Sequence, residues 1–302
     1  MQRLVFLLVY PFLWLISILP FRLFYLLSDL VFLITFYVVG YRRKTVKENL
    51  RLVFPEKQEK EIGIITRRFY RHMVDMFLEM IKSITIPDAE LKKRFVPTNL
   101  EEIHKIRAMD KSILLACGHY ASYEWMNVLQ LYDVDYRGFG IYKKINNRYF
   151  DQLARDIRGR YDGVLIRSSR AVETIAQNEK KGIRGIYAMV ADQSPRLGKK
   201  RTWGNFMGIR VPVFMGVEKL GKDLDMAVVY LHVEKVKRGH YRATFKPLSY
   251  EPSGEPEYAI TKRYFQELEA QIRAKPEFYL WTHKRWKHRN TPIPKGSPVI
   301  KD

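Results

Sequence analysis

The chain of 302 residues has one cysteine, Cys117. A single thiol makes neither an internal disulfide nor a cysteine zinc cage, which excludes a disulfide-stapled scaffold and a structural zinc finger and fits a reducing compartment. The seven histidines are scattered without zinc-ligand spacing. No Walker loop, dinucleotide fingerprint or His-Glu-x-x-His helix occurs, so neither metal nor nucleotide chemistry has support and no cofactor is expected. Acidic residues are the other shortage: 32 Asp and Glu stand against 53 Lys and Arg, a formal net charge of +21. Apolar mass is plentiful, 47% hydrophobic and 14% aromatic. That offsets chain entropy and excludes a disordered basic tail. The length suits one large domain or two small ones.

The charge is unevenly spread. Residues 1–41 carry only Arg3, Arg22 and Asp29, a net of +1, which leaves +20 on the remainder. An apolar start on a basic body points to an anionic partner at a membrane, with nucleic acid as the competing reading. Residues 4–19 are free of charge, and a second run, 23–39, is broken only by Ser28, Asp29 and Thr35. A helix crossing the hydrocarbon core needs about 20 apolar residues, so each run is marginal. Pro11 and Pro20 are expected to bend or break a helix. One kinked span, a re-entrant hairpin, a helix pair in the interface and a buried core helix all remain open. A signal peptide is disfavoured, because no small-x-small site follows and the apolar character resumes after Pro20. The cluster Arg42, Arg43, Lys44, Lys47 assigns that flank to the cytoplasm by the positive-inside rule.

Further along, 43–54 and 56–85 read as helices. In the second, Ile62, Ile65, Phe69, Met73, Met76, Phe77 and Met80 recur at three- and four-residue steps and are expected to face the core. From about residue 110 strands (112–117, 136–142, 163–167, 184–191, 225–236, 240–247) alternate with helices (123–131, 146–158, 170–180, 215–220, 257–274). This pattern predicts an α/β fold, a mixed sheet covered by helices, behind an N-terminal hydrophobic, membrane-associating helical segment. Residues 225–247 read as an antiparallel hairpin at one sheet edge, turning at Arg238-Gly239. The tail after Asn290 reads as irregular.

Three constellations carry candidate chemistry. In Ser-Ile-Leu-Leu-Ala-Cys-Gly-His-Tyr-Ala-Ser-Tyr-Glu, residues 112–124, a buried strand runs through Gly118 into His119, with Glu124 five residues later. On one continuous helix such a pair lies about 140° apart. A strand-to-helix turn removes that obstacle and sets both at the strand's C-terminal end, where open α/β sheets bind ligands. A neutral His119 there takes a proton from a hydroxyl while the carboxylate fixes its tautomer. A hydrogen-bonded structural histidine is the plainer alternative, and a Cys117 thiol nucleophile is a lesser rival. The second constellation is Asp192, at the end of another apolar strand, followed by Lys199, Lys200, Arg201 and Trp203. These cations read either as phosphate ligands or as a solvated run. The third, 281–289, alternates Trp281 and Trp286 with cations. Its readings are single-stranded nucleic acid, a lipid interface or core packing, with core packing preferred for Trp281.

In order along the chain, Arg42-Arg43, Asn49-Leu50, Phe54-Pro55-Glu56, Phe69-Tyr70, Gly118-His119…Glu124, Arg158-Gly159-Arg160, Ala191-Asp192-Gln193-Ser194-Pro195 and Trp281…His283-Lys284-Arg285-Trp286 resemble the bacterial late, or secondary, lipid A biosynthesis acyltransferases, within the lysophospholipid acyltransferase group. The resemblance implies a membrane-associated O-acyltransferase. It would move a fatty acyl chain from acyl carrier protein, the co-substrate, to a hydroxyl of an anionic lipid A precursor at the cytoplasmic face of the inner membrane. His119 would be the general base and Glu124 its orienting partner, with no acyl-enzyme. Arg158 or Arg160, together with Asp192, would serve the substrate. Lys199, Lys200 and Arg201 are candidate phosphate-binding cations by their own chemistry, and so basic a stretch after Asp192-Gln193 departs from the family. The division implied is an anchor at 1–41, an acyltransferase domain at 42–290 and a tail at 291–302. Nucleic acid is then not an expected partner. Tyr120-Ala121-Ser122-Tyr123 departs from the Phe-Gly-Asn-Trp common between the family's His and acidic residue, which leaves open another membrane glycolipid or phospholipid as acceptor. The Asn-His-x-Ser-x-x-Asp pattern of glycerol-3-phosphate-type enzymes is missing. A non-catalytic basic membrane- or nucleic-acid-binding protein remains the reading from another class.

Overall fold

A computed structural model describes residues 1–195, 197 and 201–301. The chain opens with helices α1 (Gln2–Ile18) and α2 (Phe21–Leu33), the latter prolonged by a π-helical stretch, Ile34–Val39, that ends at left-handed Gly40. Pro20 separates the two helices as expected, whereas Pro11 stays inside α1. Helices α3 (Arg43–Val53) and α4 (Glu59–Lys82) follow. At the start of α4 the Glu61 carboxylate accepts the Gln58 N–H at 3.0 Å, which satisfies a donor that a helix start otherwise leaves orphaned.

Phe24, Ser28 and Phe32, one helical turn apart, are buried against α4. Ser28 Oγ donates to Asp75 at 2.7 Å and Tyr25 OH donates to Glu79 at 2.9 Å. The opposite face of α2, with Leu23, Leu26, Leu30 and Leu33, is exposed. Within α4, Ile62, Ile65, Phe69, Met73 and Met76 are buried as expected, but Phe77 is 44% exposed. The physical reason is that two acids, Asp75 and Glu79, take inward positions. Burying them is tolerated because Lys235 and Arg238 pair with Asp75, while Tyr25 and Tyr241 donate to Glu79.

Next come α5 (Asp88–Arg94), β1 (Phe95–Pro97), α6 (Glu101–Ala108), β2 (Ile113–Cys117), a 3₁₀ segment (Tyr123–Leu131), β3 (Arg137–Tyr142), α7 (Arg148–Arg158), β4 (Val164–Arg167), α8 (Ala171–Lys180) and β5 (Gly185–Val190). They are followed by β6 (Trp203–Phe206), β7 (Ile209–Pro212), α9 (Gly216–Leu224), β8 (Ala227–Lys237), β9 (His240–Ser249) and α10 (Ala259–Ala274). The main sheet is mixed and helix-flanked, in the order β1-β9-β8-β2-β5-β3-β4, parallel everywhere except β8–β9.

The β8–β9 hairpin turns at Gly239, as its sequence predicts, but it is not the edge. Three-residue β1, too short to show an alternating pattern, pairs parallel to β9 outside it. The antiparallel β6–β7 pair, turning at left-handed Met207 and Gly208, is a second small sheet that the sequence reading lacks. At the centre, β2 is buried along its whole length between β8 and β5. The connection leaving β2 runs to β3 on one side, and that leaving β5 runs to β8 on the other. The C-terminal ends of β2 and β5 therefore form a topological switch point, where α/β sheets open a binding crevice.

Candidate active site

The loop after β2 is fixed from several directions. A Cβ on Gly118 would stand 2.5 Å from a Leu268 methyl on α10, so any side chain here would have to displace that buried leucine from beneath the turn. His119 follows, and Ala121 takes a left-handed φ of 49°. The segment after α10 holds both: Leu280 N–H donates to His119 O at 3.0 Å, and Ala121 N–H donates to Phe278 O at 2.9 Å. Tyr120 OH donates to the carbonyls of Gln271 and Lys275.

Because β5 lies parallel to β2 with Cys117 opposite Val190, the residue two beyond β5 falls beside the histidine. His119 Nδ1 meets Asp192 Oδ1 at 2.5 Å, and Asp192 is 1% exposed. Burial opposes charge on the imidazole, but the charge and hydrogen bond of Asp192 outweigh it and raise His119 above its usual value. Burial likewise opposes the Asp192 charge, and His119 outweighs it, holding the carboxyl below the usual range. With Nδ1–H given to Asp192, the lone pair of Nε2 points outward, where Gln193 Nε2 stands 2.9 Å away and donates to it. The Tyr123 ring packs edge-on against the imidazole, centroids 4.9 Å apart.

Glu124 lies in the first turn of the 3₁₀ segment, as its sequence predicts, but the carboxylate on His119 is that of Asp192. Glu124 instead binds Arg158 through two oxygens, at 3.0 Å to Nε and 2.8 Å to Nη2. The reason is geometric: the Glu124 carboxylate faces the end of α7, whereas Asp192 sits just beyond β5, the strand adjoining β2. Burial disfavours the Arg158 charge, yet Glu124 outweighs it and raises the guanidinium further. Arg160 turns away to Ser83 O and Asp88.

A cavity of about 620 Å³ opens from this polar end, within the range of small-molecule sites. His119, Glu124, Arg158 and Gln193 line its polar end. Its floor is one face of the sheet: Leu115 of β2, Ile186 and Ala188 of β5, Gly138 and Gly140 of β3 and Leu165 of β4, which stand opposite one another in register. Two glycines and an alanine leave a trough there, and Met126 and Leu129 of the 3₁₀ segment wall it.

Other expectations fare differently. Lys199 and Lys200 lie outside the described residues. Arg201 is described but is not among the residues lining the cavity. Trp203, which follows those cations, is buried in β6. Trp281 and Trp286 are both buried and stack at 5.8 Å, which removes the stacking platform and the interfacial anchor read from that tract. Its Arg285 is also buried, with Nη1 toward Pro212 O and its own carbonyl accepting Ser194 Oγ at 2.6 Å, so the tract clamps the Asp192 loop. Asn49 anchors the tract through the carbonyls of Trp281 and His283. The Cys117 thiol is buried, and burial pushes it up, against a nucleophilic role. Among the described residues no three His, Cys, Asp or Glu side chains are placed to hold a metal ion. Sequence analysis gave no role to Gln193, to Tyr123, or to buried Tyr279, whose side chain hydrogen-bonds Asp192. Gln193 alone carried a signal, by directly following Asp192.

Comparison with known proteins gives a match of residues 1–288 to the family model for bacterial lipid A biosynthesis acyltransferases. The lipid A biosynthesis lauroyltransferase of Escherichia coli (strain K12) is 23% identical over 291 residues, covering 93% of this chain and 91% of that protein.

Proposed function

The chain belongs to the bacterial lipid A biosynthesis acyltransferase family, and on that premise we propose that it transfers a fatty acyl chain from acyl carrier protein to a hydroxyl of a lipid A precursor at the cytoplasmic face of the inner membrane. The observation that carries the reading is the His119–Asp192 pair at the polar end of an apolar trough. The acyl tail lies in the trough on Gly138, Gly140 and Ala188, bringing its thioester carbonyl to His119. The acceptor hydroxyl displaces the Gln193 amide from Nε2. His119 removes the hydroxyl proton as the oxygen attacks the carbonyl carbon, and Asp192 stabilises the imidazolium. Collapse of the tetrahedral intermediate breaks the carbon–sulfur bond, and the imidazolium returns its proton to the leaving thiolate. No acyl-enzyme forms. Arg158, bound to Glu124 through Nε and Nη2, turns its remaining Nη1 to the thioester oxygen or to the acceptor's anionic group. No resident cofactor takes part.

The basic body attracts both the anionic acceptor and an acidic carrier protein. The segment Phe21–Val39 is long and apolar enough to cross a membrane, but its inner face is bound lengthwise to α4 and Asp29 is paired with Arg71 and Arg238. Lipid on every side would strand that carboxylate. We therefore read α1 and α2 as lying in the interface with only their outer faces in lipid.

The test is acyl transfer by the purified protein from acyl carrier protein to a lipid A precursor. His119→Ala is expected to abolish transfer while the protein remains folded, and retained transfer would sink the mechanism. Mass spectrometry of lipids from cells lacking the gene is expected to reveal a lipid A short of one acyl chain.

A further inference from the structure

We propose that a groove on α4 beside the end of α2 binds the phosphodiester headgroup of an acidic membrane phospholipid, at a site apart from the acyl-transfer cavity. Residues 64, 67, 68 and 71 are spaced to share one face of α4. With Phe32 of α2 they line a groove of about 350 Å³: Ile64 and Phe32 form an apolar wall, and Arg67, Arg68 and Arg71 supply three guanidinium groups. Their charge is poorly compensated. Arg71 shares Asp29 with Arg238. Arg68 comes no nearer to Glu277 than 3.9 Å, with its side chain 67% exposed. The Arg67 guanidinium has neither an ion pair nor a hydrogen bond among the described residues.

Three cations within two turns of one helix repel one another unless an anion sits among them. Guanidinium forks match phosphate oxygens in pairs. The apolar side selects among anions: inorganic phosphate would satisfy the arginines but leave Ile64, 44% exposed, uncovered, since Phe32 is already buried against α4. A phospholipid lays its glycerol against Ile64 and its tails along the exposed Leu33 and Ile34 of the adjoining helix. The proposal rests on the interfacial placement of α1 and α2 and not on the acyl-transfer chemistry.

The experiment measures partition of the full-length purified protein onto vesicles of phosphatidylcholine, alone or with phosphatidylglycerol, in the absence of acyl donor and acceptor. Each arginine near an anionic surface contributes about five-fold to partition. Arg67→Gln with Arg68→Gln is therefore expected to lower binding to phosphatidylglycerol vesicles by roughly twenty-fold and to leave binding to neutral vesicles unchanged. The control, Lys180→Gln with Lys181→Gln, removes the same charge at the end of α8, which packs on β4 and α9, and is expected to keep the phosphatidylglycerol preference. The site is overturned if the arginine variant keeps that preference, if the lysine variant loses it equally, or if the wild-type protein has none. A wild-type protein that binds neither vesicle overturns the interfacial placement as well. Acyl transfer to a detergent-dispersed acceptor is read separately, so failure of the groove and failure of the catalytic reading are distinguishable.

Discussion

Two carboxylates compete for the role of orienting His119, and replacing each by its amide separates them. Asp192→Asn keeps shape and volume at a site that is 1% exposed, so the fold should survive while the charge is lost. A hydrogen bond to a buried charged group is worth about 1.5–3 kcal/mol, and in the proposed mechanism it would stabilise the imidazolium formed as the hydroxyl is deprotonated. That alone predicts a fall in kcat of roughly ten- to two-hundred-fold. Where the asparagine amide turns its NH2 toward Nδ1, the ring is held in the wrong tautomer and the loss extends toward about 10⁴-fold.

The pH profile gives an independent reading. The proposed base would work only when neutral, so activity is expected to rise with pH through the His119 pKa. In the wild-type protein Asp192 raises that value against the effect of burial. With the carboxylate gone, burial acts with little opposition, and the acid limb is expected to move to lower pH even as the plateau falls. Glu124→Gln should instead release Arg158 and depress turnover with a much smaller displacement of the limb, because Glu124 acts on His119 only through its charge. The assay is kcat and kcat/KM across pH for the two variants. A Glu124→Gln protein that moves the limb strongly, beside an Asp192→Asn protein with unchanged plateau and limb, would refute the assignment.

Three further outcomes follow from other groups. Burial pushes Glu79 up to about 7 from an ordinary value near 4.5. Its contribution to stability is thus complete below about pH 4.5 and lost as pH rises through 7, on the order of 3 kcal/mol. Urea midpoints at pH 5 and pH 8 should differ less in Glu79→Gln than in the wild-type protein. Gly140→Val fills the trough, since a Cβ there already meets Leu165 at 2.8 Å. Donor competition assays should shift toward shorter chains, by about four-fold for each methylene left unburied. Gln193→Ala removes the amide that the acceptor must displace, and one neutral hydrogen bond is worth about 1 kcal/mol. The acceptor KM should stay equal or fall up to about five-fold with kcat retained; a hundred-fold lower kcat would make Gln193 part of the machinery.

How much of this was legible in the sequence depends on how local each feature is. The run ending in Gly118-His119 is a continuous apolar strand closed by a turn residue, and Ile113–Cys117 is found within one residue of its expected start. Asp192 was legible as a strand-end acid for the same reason. Its partnership with His119 was not, because it depends on β5 lying against β2 with β3 and β4 beyond it, a strand order that no spacing encodes. Glu124, only five residues away, was the nearer choice by sequence, and Arg158 at the end of α7 captures it. The α4 stripe failed at Phe77 in a similar way. The inward places go to Asp75, whose countercharges lie on β8 and the hairpin turn some 160 residues later, and to Glu79, held by Tyr25 and Tyr241. Periodicity counts apolar residues and has no means of recognising a buried acid that is paired.

Under the acyl-transfer reading proposed above, the same adjacency of β2 and β5 would couple the chemistry to chain-length recognition. Strand β2 contributes His119 and the trough residue Leu115, and β5 contributes Asp192 and the trough residues Ile186 and Ala188. An acyl tail seated on these strands, as proposed, would therefore set where its own thioester carbonyl stands relative to Nε2. A tail too long for the trough pushes the carbonyl past the base, and one too short leaves it free to slide. A misplacement of about 1 Å at a reacting centre costs on the order of 10²-fold in rate. Binding of one methylene is worth only about 0.8 kcal/mol. On that proposal, selectivity for chain length is expected in kcat more than in KM, because the strands that would measure the tail also hold the proposed base.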